Sequence, residues 1–240
     1  MQLLDFTVTS NETIARDVYR MQLHHKQAVP PAPGQFVNLQ VDGHYLRRPI
    51  SVCDWEDGTL TLIYKTVGQG TQTLAQYLPG QSISVLTNLG NGYTIVSAKK
   101  PLLIGGGVGV PPLYYLAKEL VKAGQRPVAL LGFQSEEDAF YGDEFAAICD
   151  TKVIIKDYVT SAMPSNYDAI YSCGPEPMLR AIYDQAHELA PGHMQLSFEA
   201  RMACGFGACM ACSCHTVSGY KRICKDGPVL TREEIVWNEQ

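Results

Sequence analysis

Five of the eight cysteines in this 240-residue chain fall between Glu199 and Pro228, and three of them, Cys204, Cys209 and Cys212, are spaced C-x4-C-x2-C. Thiolates at that spacing ligate iron–sulfur clusters, and the plant-type [2Fe–2S] pattern adds a fourth cysteine downstream. Gly205 and Gly207 lie between the first two, where backbone N–H groups must approach the sulfurs of an anionic core without side chains in the way. Cys214 and Cys224 are both available as the fourth ligand. A single residue separates Cys212 from Cys214, which leaves little loop to bend around a cluster, so Cys224 is the better choice. A structural zinc site with four cysteines also uses C-x2-C pairs, and spacing alone does not exclude it.

Two further constellations suit phosphate chemistry. Arg47-Arg48-Pro49-Ile50-Ser51 puts guanidinium donors on a strand, and Tyr64-Lys65-Thr66-Val67-Gly68-Gln69-Gly70-Thr71 ends a strand in a glycine turn that opens a helix. Such a turn offers backbone N–H groups and a hydroxyl to a phosphate. Gly105-Gly106-Gly107-Val108-Gly109 follows a buried-type strand, and bare backbone there lets a pyrophosphate approach the next helix. The loop is not a clean dinucleotide fingerprint, because prolines rather than a third glycine end it. Cys173-Gly174-Pro175 follows another strand at a sheet's carboxyl edge, where ligands bind in open α/β folds. Glu136, Glu137 and Asp138 stand where a 2′-phosphate would need cations, so NAD(H) is favoured over NADP(H). Cys53 and Cys149 read as ordinary buried thiols, and the six histidines show no ligand spacing.

The elements that must carry these residues change character along the chain. Through residue 97, apolar residues alternate with polar ones at Tyr19, Met21 and Leu23, at Val37, Leu39 and Val41, at Leu60, Leu62 and Tyr64, and at Ile83 and Val85. Turns at Asp57-Gly58 and Pro79-Gly80 make this a small antiparallel barrel. From residue 98 to 194, short buried strands alternate with helices, the first helix starting at Pro111-Pro112, which predicts a doubly wound parallel sheet. Residues 195–240 begin with a strand over 195–198, carry the cysteines, and end in a closing helix from Leu230 capped by Thr231 and Glu234. The fold class is therefore β plus α/β, with a small cysteine-rich C-terminal segment.

Composition narrows the function classes. Hydrophobic content of 46% with 18% charged residues suits globular cores, and a net charge of −5 without any basic block argues against nucleic acid. No basic-then-apolar leader and no bilayer-length apolar run are present, and the clustered cysteines suit metal rather than disulfides, so a cytoplasmic location is expected.

The order of R-x-x-S, G-x-G-T, Leu89-Gly90-Asn91-Gly92-Tyr93, the glycine loop and Cys-Gly-Pro resembles the ferredoxin–NAD(P) reductase superfamily over residues 4 to 190. The resemblance implies an FAD-binding barrel and a nicotinamide-nucleotide domain. It assigns Arg48 to the FAD pyrophosphate, Pro49, Ile50 and Ser51 to the isoalloxazine ring, and Gly68, Gly70 and Thr71 to the phosphates, with Tyr64, Lys65 and Thr66 alongside. Many members carry an aromatic residue where this chain has Ile50. Gly105, Gly106, Gly107, Gly109, Cys173, Gly174 and Pro175 fall to NAD, and Cys173 and Glu199 are the candidate groups near flavin and nicotinamide. A one-electron centre complements those cofactors, which favours iron and sulfide over zinc at Cys204, Cys209, Cys212 and Cys224.

The run Phe198-Glu199-x-Arg201-Met202-x-Cys204-Gly205-x-Gly207-x-Cys209-x-x-Cys212, with Cys224-Lys225-Asp226-Gly227-Pro228, is similar to the electron-transfer subunits of class 1B dihydroorotate dehydrogenases. That similarity implies a relay in pyrimidine biosynthesis. A separate FMN-containing catalytic subunit oxidises dihydroorotate, and electrons pass through [2Fe–2S] and FAD to NAD+, in a heterotetramer of two copies of each chain. The cluster segment is then expected near the subunit interface. Related subunits of sulfite reductases, hydrogenases and NAD–ferredoxin oxidoreductases share much of the pattern. A stand-alone reductase for a soluble carrier and a zinc-stabilised binding module are the readings from other classes.

Overall fold

The alternating apolar positions of residues 2–89 close into a barrel in the computed structural model, which describes residues 1–237. Its strands are β1 (Gln2–Ala15), β2 (Val18–His24), β3 (Phe36–Leu39), β4 (Arg48–Glu56), β5 (Thr59–Lys65) and, after the short helix α1 (Gln69–Leu74), β6 (Ser82–Leu89). They pair in the order β1-β2-β5-β4-β3-β6. Met21, Leu23, Val37, Leu39, Leu60, Leu62, Ile83 and Val85 meet inside, as a period of two requires. Asp57 and Gly58 both take positive φ, 44° and 80°, the backbone of a tight hairpin turn between β4 and β5.

The second unit alternates strand and helix: β7 (Pro101–Gly106), α2 (Pro111–Lys122), β8 (Val128–Phe133), α3 (Gly142–Ala146), β9 (Asp150–Ile155), β10 (Ala169–Cys173), α4 (Glu176–Gln185) and β11 (Met194–Ser197). The cysteine segment then forms a hairpin, β12 (Ser213–Thr216) and β13 (Gly219–Arg222), and one helical turn, α5 (Ile223–Asp226), before β14 (Val229–Thr231). The sheet order is β14-β11-β10-β7-β8-β9, with all pairs parallel except β11 with β14. The chain leaves β7 toward β8 on one side and returns to β10 on the other, so the topological switch lies between β7 and β10.

The C-terminus departs from the sequence expectation. Residues 229–231 form a strand because they pair with Ser197–Gln195, and the Thr231/Glu234 capping box closes only a single 3-10 turn over Arg232–Glu234. Ile235 bridges Thr216 and 236–237 are not helical, and residues 238–240 lie outside the described residues. The boundary expected between 194 and 195 is spanned by β11, and β14 brings the chain back to the same sheet. The cysteine segment is thus anchored to the nucleotide sheet at both ends.

Barrel and sheet share buried side chains. Val18, Cys53 and Ile63 of the barrel pack in one core with Leu113, Leu116 and Ala117 of α2. Lys118 on α2 bonds both carboxylate oxygens of Asp54 on β4, at 2.8 and 2.7 Å. Among the described residues no helix is long and apolar enough to cross a membrane.

Candidate functional site

Three groups of candidate residues lie along the junction of barrel and sheet. The first surrounds Arg48. A hollow of about 340 Å³ is lined by His44, Arg48, Val67, Gly68, Gln69, Gly70 and Thr71. The Arg48 guanidinium reaches the Leu46 carbonyl and lies 3.1 Å from His44 Nδ1. A Cβ on Gly70 would sit 2.1 Å from Arg48 Nε, so glycine there admits the guanidinium. The arginine strand and the glycine turn, about twenty residues apart in sequence, are therefore one site. His44 belongs to it, and nothing in its sequence neighbourhood signals that.

Other residues of this group behave differently from expectation. The Thr71 hydroxyl accepts the Val67 and Gly68 N–H groups, at 2.9 and 3.2 Å, and donates to the Gly68 carbonyl at 3.0 Å. It shapes the turn rather than facing the hollow unpartnered. Tyr64 is buried, stacks on Tyr19 and donates its hydroxyl to Asn11 at 2.9 Å. Lys65 reaches Asp138 at 3.6 Å, and the Thr66 hydroxyl donates to the Asp17 carbonyl at 3.4 Å. None of these three lines the Arg48 hollow. Pro49, Ile50 and Ser51 are half-buried on β4 opposite β3, and Ile50 packs on the barrel core.

The second group lies at the carboxyl edge of the sheet, at the switch point. Gly105 packs against Val110 and Gly106 against Met178 and Pro175, and a Cβ on Gly109 would lie 2.2 Å from the Cys173 carbonyl oxygen. These glycines let the loops after β7 and β10 press together. Gly107 alone in that loop has a positive φ, 53°, with open space beside it. Of the four glycines in the loop, Gly107 alone has open space where a Cβ would stand, whereas the others are packed on protein. Gly109→Ala should cost roughly 1–3 kcal/mol, since the obstruction is backbone. Thermal unfolding should show a Tm lower by about 2–12 °C, against a smaller loss for Gly107→Ala.

Cys173 and Glu199 come together at this edge. Burial, then the Glu199 charge, pushes the Cys173 thiol up to about 12, so it is uncharged at neutral pH. Burial likewise raises the Glu199 carboxyl. The acidic run is not a free repulsive surface. Asp138 receives Arg16 at 2.6 Å and Glu137 receives it at 3.0 Å, and the Ser135 hydroxyl, with Arg16, lowers the Asp138 carboxyl. Those acids tie the β1–β2 turn of the barrel to the nucleotide unit.

The third group is the cysteine segment. Ala208 and Cys209 donate backbone N–H groups to Cys204 Sγ at 3.3 and 3.5 Å. Burial raises the Cys204 thiol, but the N–H groups of Cys209 and Phe206, the Cys209 side chain and the Ala208 N–H outweigh it and bring the thiol to about 6. Cys224 donates its N–H to Cys212 Sγ at 3.4 Å, and both side chains are buried. Burial, then the Cys212 side chain, pushes the Cys224 thiol up to about 12. The thiols thus form two pairs, Cys204 with Cys209 and Cys212 with Cys224. Cys214 is on β12, half-buried, across from Lys221.

Among the described residues no three His, Cys, Asp or Glu side chains converge on one point as ligands of a single ion would. A tetrahedral zinc needs four donors around one centre, whereas each iron of a [2Fe–2S] cluster takes two thiolates. The two cysteine pairs supply the four thiolates that such a binuclear group takes.

The segment is held from the barrel side. Asn91 donates its N–H to the Gly227 carbonyl at 2.7 Å and brackets Val229 with both side-chain atoms, Nδ2 to the carbonyl at 2.7 Å and Oδ1 from the N–H at 3.1 Å. Gly90 has φ 78°, and a Cβ there would lie 2.6 Å from Pro228 Cδ. The motif Leu89-Gly90-Asn91-Gly92-Tyr93 therefore binds the chain just after Cys224. Within the segment, Arg222 bonds Asp226 at 2.9 Å and the Gly207 carbonyl at 3.0 Å.

Comparison with known proteins agrees with this architecture. Residues 199–236 match the family model for the iron-sulfur cluster binding domain of dihydroorotate dehydrogenase B. The chain is 42% identical over 252 residues to the electron transfer subunit of dihydroorotate dehydrogenase B (NAD+) from Bacillus caldolyticus, covering 96% of this chain and 97% of the relative. The corresponding subunit of Fusobacterium nucleatum is 40% identical, covering 98% and 99%. The structure of an NADH-dependent reduced ferredoxin–NADP oxidoreductase superposes with a TM-score of 0.86 at 30% identity, over 97% of this chain and 90% of the other. Phthalate dioxygenase reductase shares the fold, with a TM-score of 0.71 at 18% identity over 90% and 87%.

Proposed function

This chain belongs to the family of electron transfer subunits of dihydroorotate dehydrogenase B (NAD+), and from that membership we propose that it carries electrons between a catalytic partner subunit and NAD+. Residues 1–97 hold FAD, 98–194 receive NAD, and 195–240 hold a [2Fe–2S] cluster through Cys204, Cys209, Cys212 and Cys224. The cluster exchanges single electrons and FAD one or two, so together they couple single-electron delivery to hydride exchange with NAD+. The observation that carries the reading is the pair of cysteine pairs, anchored to the sheet through β11 and β14 and to the barrel through Asn91.

Each group of residues has a defined task. Arg48 supplies positive charge and directional donors to the FAD pyrophosphate beside the Gly68–Thr71 turn. The pressed loops after β7 and β10 form a rigid floor for the nicotinamide nucleotide at the switch point. Cys173, protonated at neutral pH, leaves that floor uncharged. No acid–base constellation in the chain requires a pyrimidine site, and dihydroorotate oxidation belongs to the partner, an FMN subunit assembled with this chain as a heterotetramer of two copies of each. A cysteine-ligated cluster in place of disulfides suits a reducing, cytoplasmic setting.

The complex isolated with its partner is expected to reduce NAD+ with dihydroorotate, and the catalytic subunit alone is not. A preparation of this chain that holds zinc, without iron, acid-labile sulfide or FAD, would overturn the reading. The similarity to the NADH-dependent ferredoxin–NADP oxidoreductase favours one other partner class. NADH-driven ferredoxin reduction by the isolated chain at a rate exceeding the dihydroorotate reaction would select that alternative.

A further inference from the structure

We propose that Asn38 is a positioning residue, which fixes the first cluster ligand against the flavin-bearing strands and thereby sets the redox equilibrium of the cluster. The inference rests on the assignment of FAD to the barrel and of the cluster to the cysteine segment. Asn38 lies on β3 and is 1% exposed. Its register partner on β4 is Pro49, flanked by pairs of Val37 with Ile50 and Leu39 with Arg48. Those β4 residues are the ones assigned to the flavin.

The side chain reaches the other way. Strand alternation turns Val37 and Leu39 into the barrel core, and Phe36, two residues from Asn38, packs in the core that contains Cys212 and Cys224. Asn38 Nδ2 donates to the Cys204 carbonyl at 3.4 Å. A Cβ on Gly205 would lie 1.9 Å from the same nitrogen, and Gly205 has φ 78°. Glycine at 205 thus admits the amide to the loop that carries Cys204 and Cys209. The strand itself is tied down, because Arg47 donates to the Asn38 and Ser84 carbonyls at 3.4 and 2.9 Å.

A buried amide in such surroundings is costly to the fold. Asn38 Oδ1 has no hydrogen-bond partner among the described residues, and an unsatisfied buried acceptor is unfavourable. Leucine, of similar size, would avoid that cost. What leucine would remove is the donor at Cys204, whose dipole favours additional negative charge on the ligand loop. Reduction of the cluster adds such charge, so the amide favours the reduced form and holds the loop at a fixed separation from β4.

The test compares wild type with Asn38→Leu in the complex with the catalytic subunit. Iron, sulfide and FAD content, Tm, an anaerobic redox titration followed by electron paramagnetic resonance, and single-turnover cluster reduction by NADH are measured. Asn38→Leu should keep its cofactors and its Tm, shift the cluster equilibrium about tenfold toward the oxidised form, about 59 mV for one electron, and slow cluster reduction. A purely structural asparagine would alter Tm without moving the equilibrium, and that result overturns the inference. If Asn38→Leu loses iron, Asn38→Ala, which removes the amide donor without adding charge, takes its place. An unchanged equilibrium and rate in Asn38→Ala then overturn it. Wild-type complex without iron, sulfide or FAD would instead refute the underlying assignment of cofactors.

Discussion

Cys224→Ser is expected to empty the cluster site, with iron falling from about two per chain to near zero, whereas Cys214→Ser retains it. The two cysteines are ten residues apart, and the sequence favours Cys224 because a single residue separates Cys214 from Cys212. Cys224 sits on α5, buried, and its N–H reaches Cys212 Sγ at 3.4 Å. The backbone on either side is fixed, by the Arg222 N–H donating to Asp226 Oδ2 at 3.0 Å and by Asn91 to the Gly227 carbonyl at 2.7 Å. Cys214 belongs to a hairpin in which it pairs with Lys221 and its neighbour His215 with Tyr220. Iron and sulfide analysis with visible absorption of anaerobic preparations reads the outcome. Loss of iron in Cys214→Ser with retention in Cys224→Ser would reverse the ligand assignment.

Arg48→Ala is expected to weaken FAD binding roughly 10- to 100-fold. A hydrogen bond to a charged partner contributes about 1.5–3 kcal/mol, and each 1.4 kcal/mol is a factor of ten. Arg48 is the charged side chain lining the hollow beside the Gly68–Thr71 turn. Arg48→Lys should recover part of the loss, because an ammonium supplies charge without the planar fork of donors. Gly70→Ala should act in the same direction through a different cause, since its Cβ would displace the guanidinium. Titration of FAD into flavin-free protein, followed by flavin fluorescence, measures all three. Wild-type affinity in Arg48→Ala would remove Arg48 from the pyrophosphate site.

Much of this molecule follows from short-range pattern. A period of two at Met21, Leu23, Val37, Leu39, Leu60 and Leu62 predicts a barrel, and the structure closes one. Pro111-Pro112 after a glycine turn predicts the start of α2, which begins at Pro111. The C-x4-C-x2-C spacing and the order of glycine motifs identify the chemistry, because ligand spacing and bare backbone are local requirements of a cluster and of phosphates.

What the sequence did not determine depends on partners distant along the chain. Thr231 and Glu234 form their capping box, yet strand pairing with Ser197–Gln195 claims the residues before it and leaves one 3-10 turn where local rules predict a helix. Glu137 and Asp138 read as a free acidic surface until Arg16, about 120 residues earlier, is seen to pair with both. Thr71 lines the Arg48 hollow and with its hydroxyl also closes its own turn. By itself the sequence determined the barrel, the wound sheet and the cysteine chemistry, since periodicity, turn residues and ligand spacing act over a few residues. Only the tertiary structure placed the Cys224 N–H against Cys212 Sγ, and Asn38 and Asn91 against the cysteine segment. Those contacts join residues more than a hundred positions apart, apart from the cysteine pair, and depend on strand register and close backbone approach that no local pattern encodes.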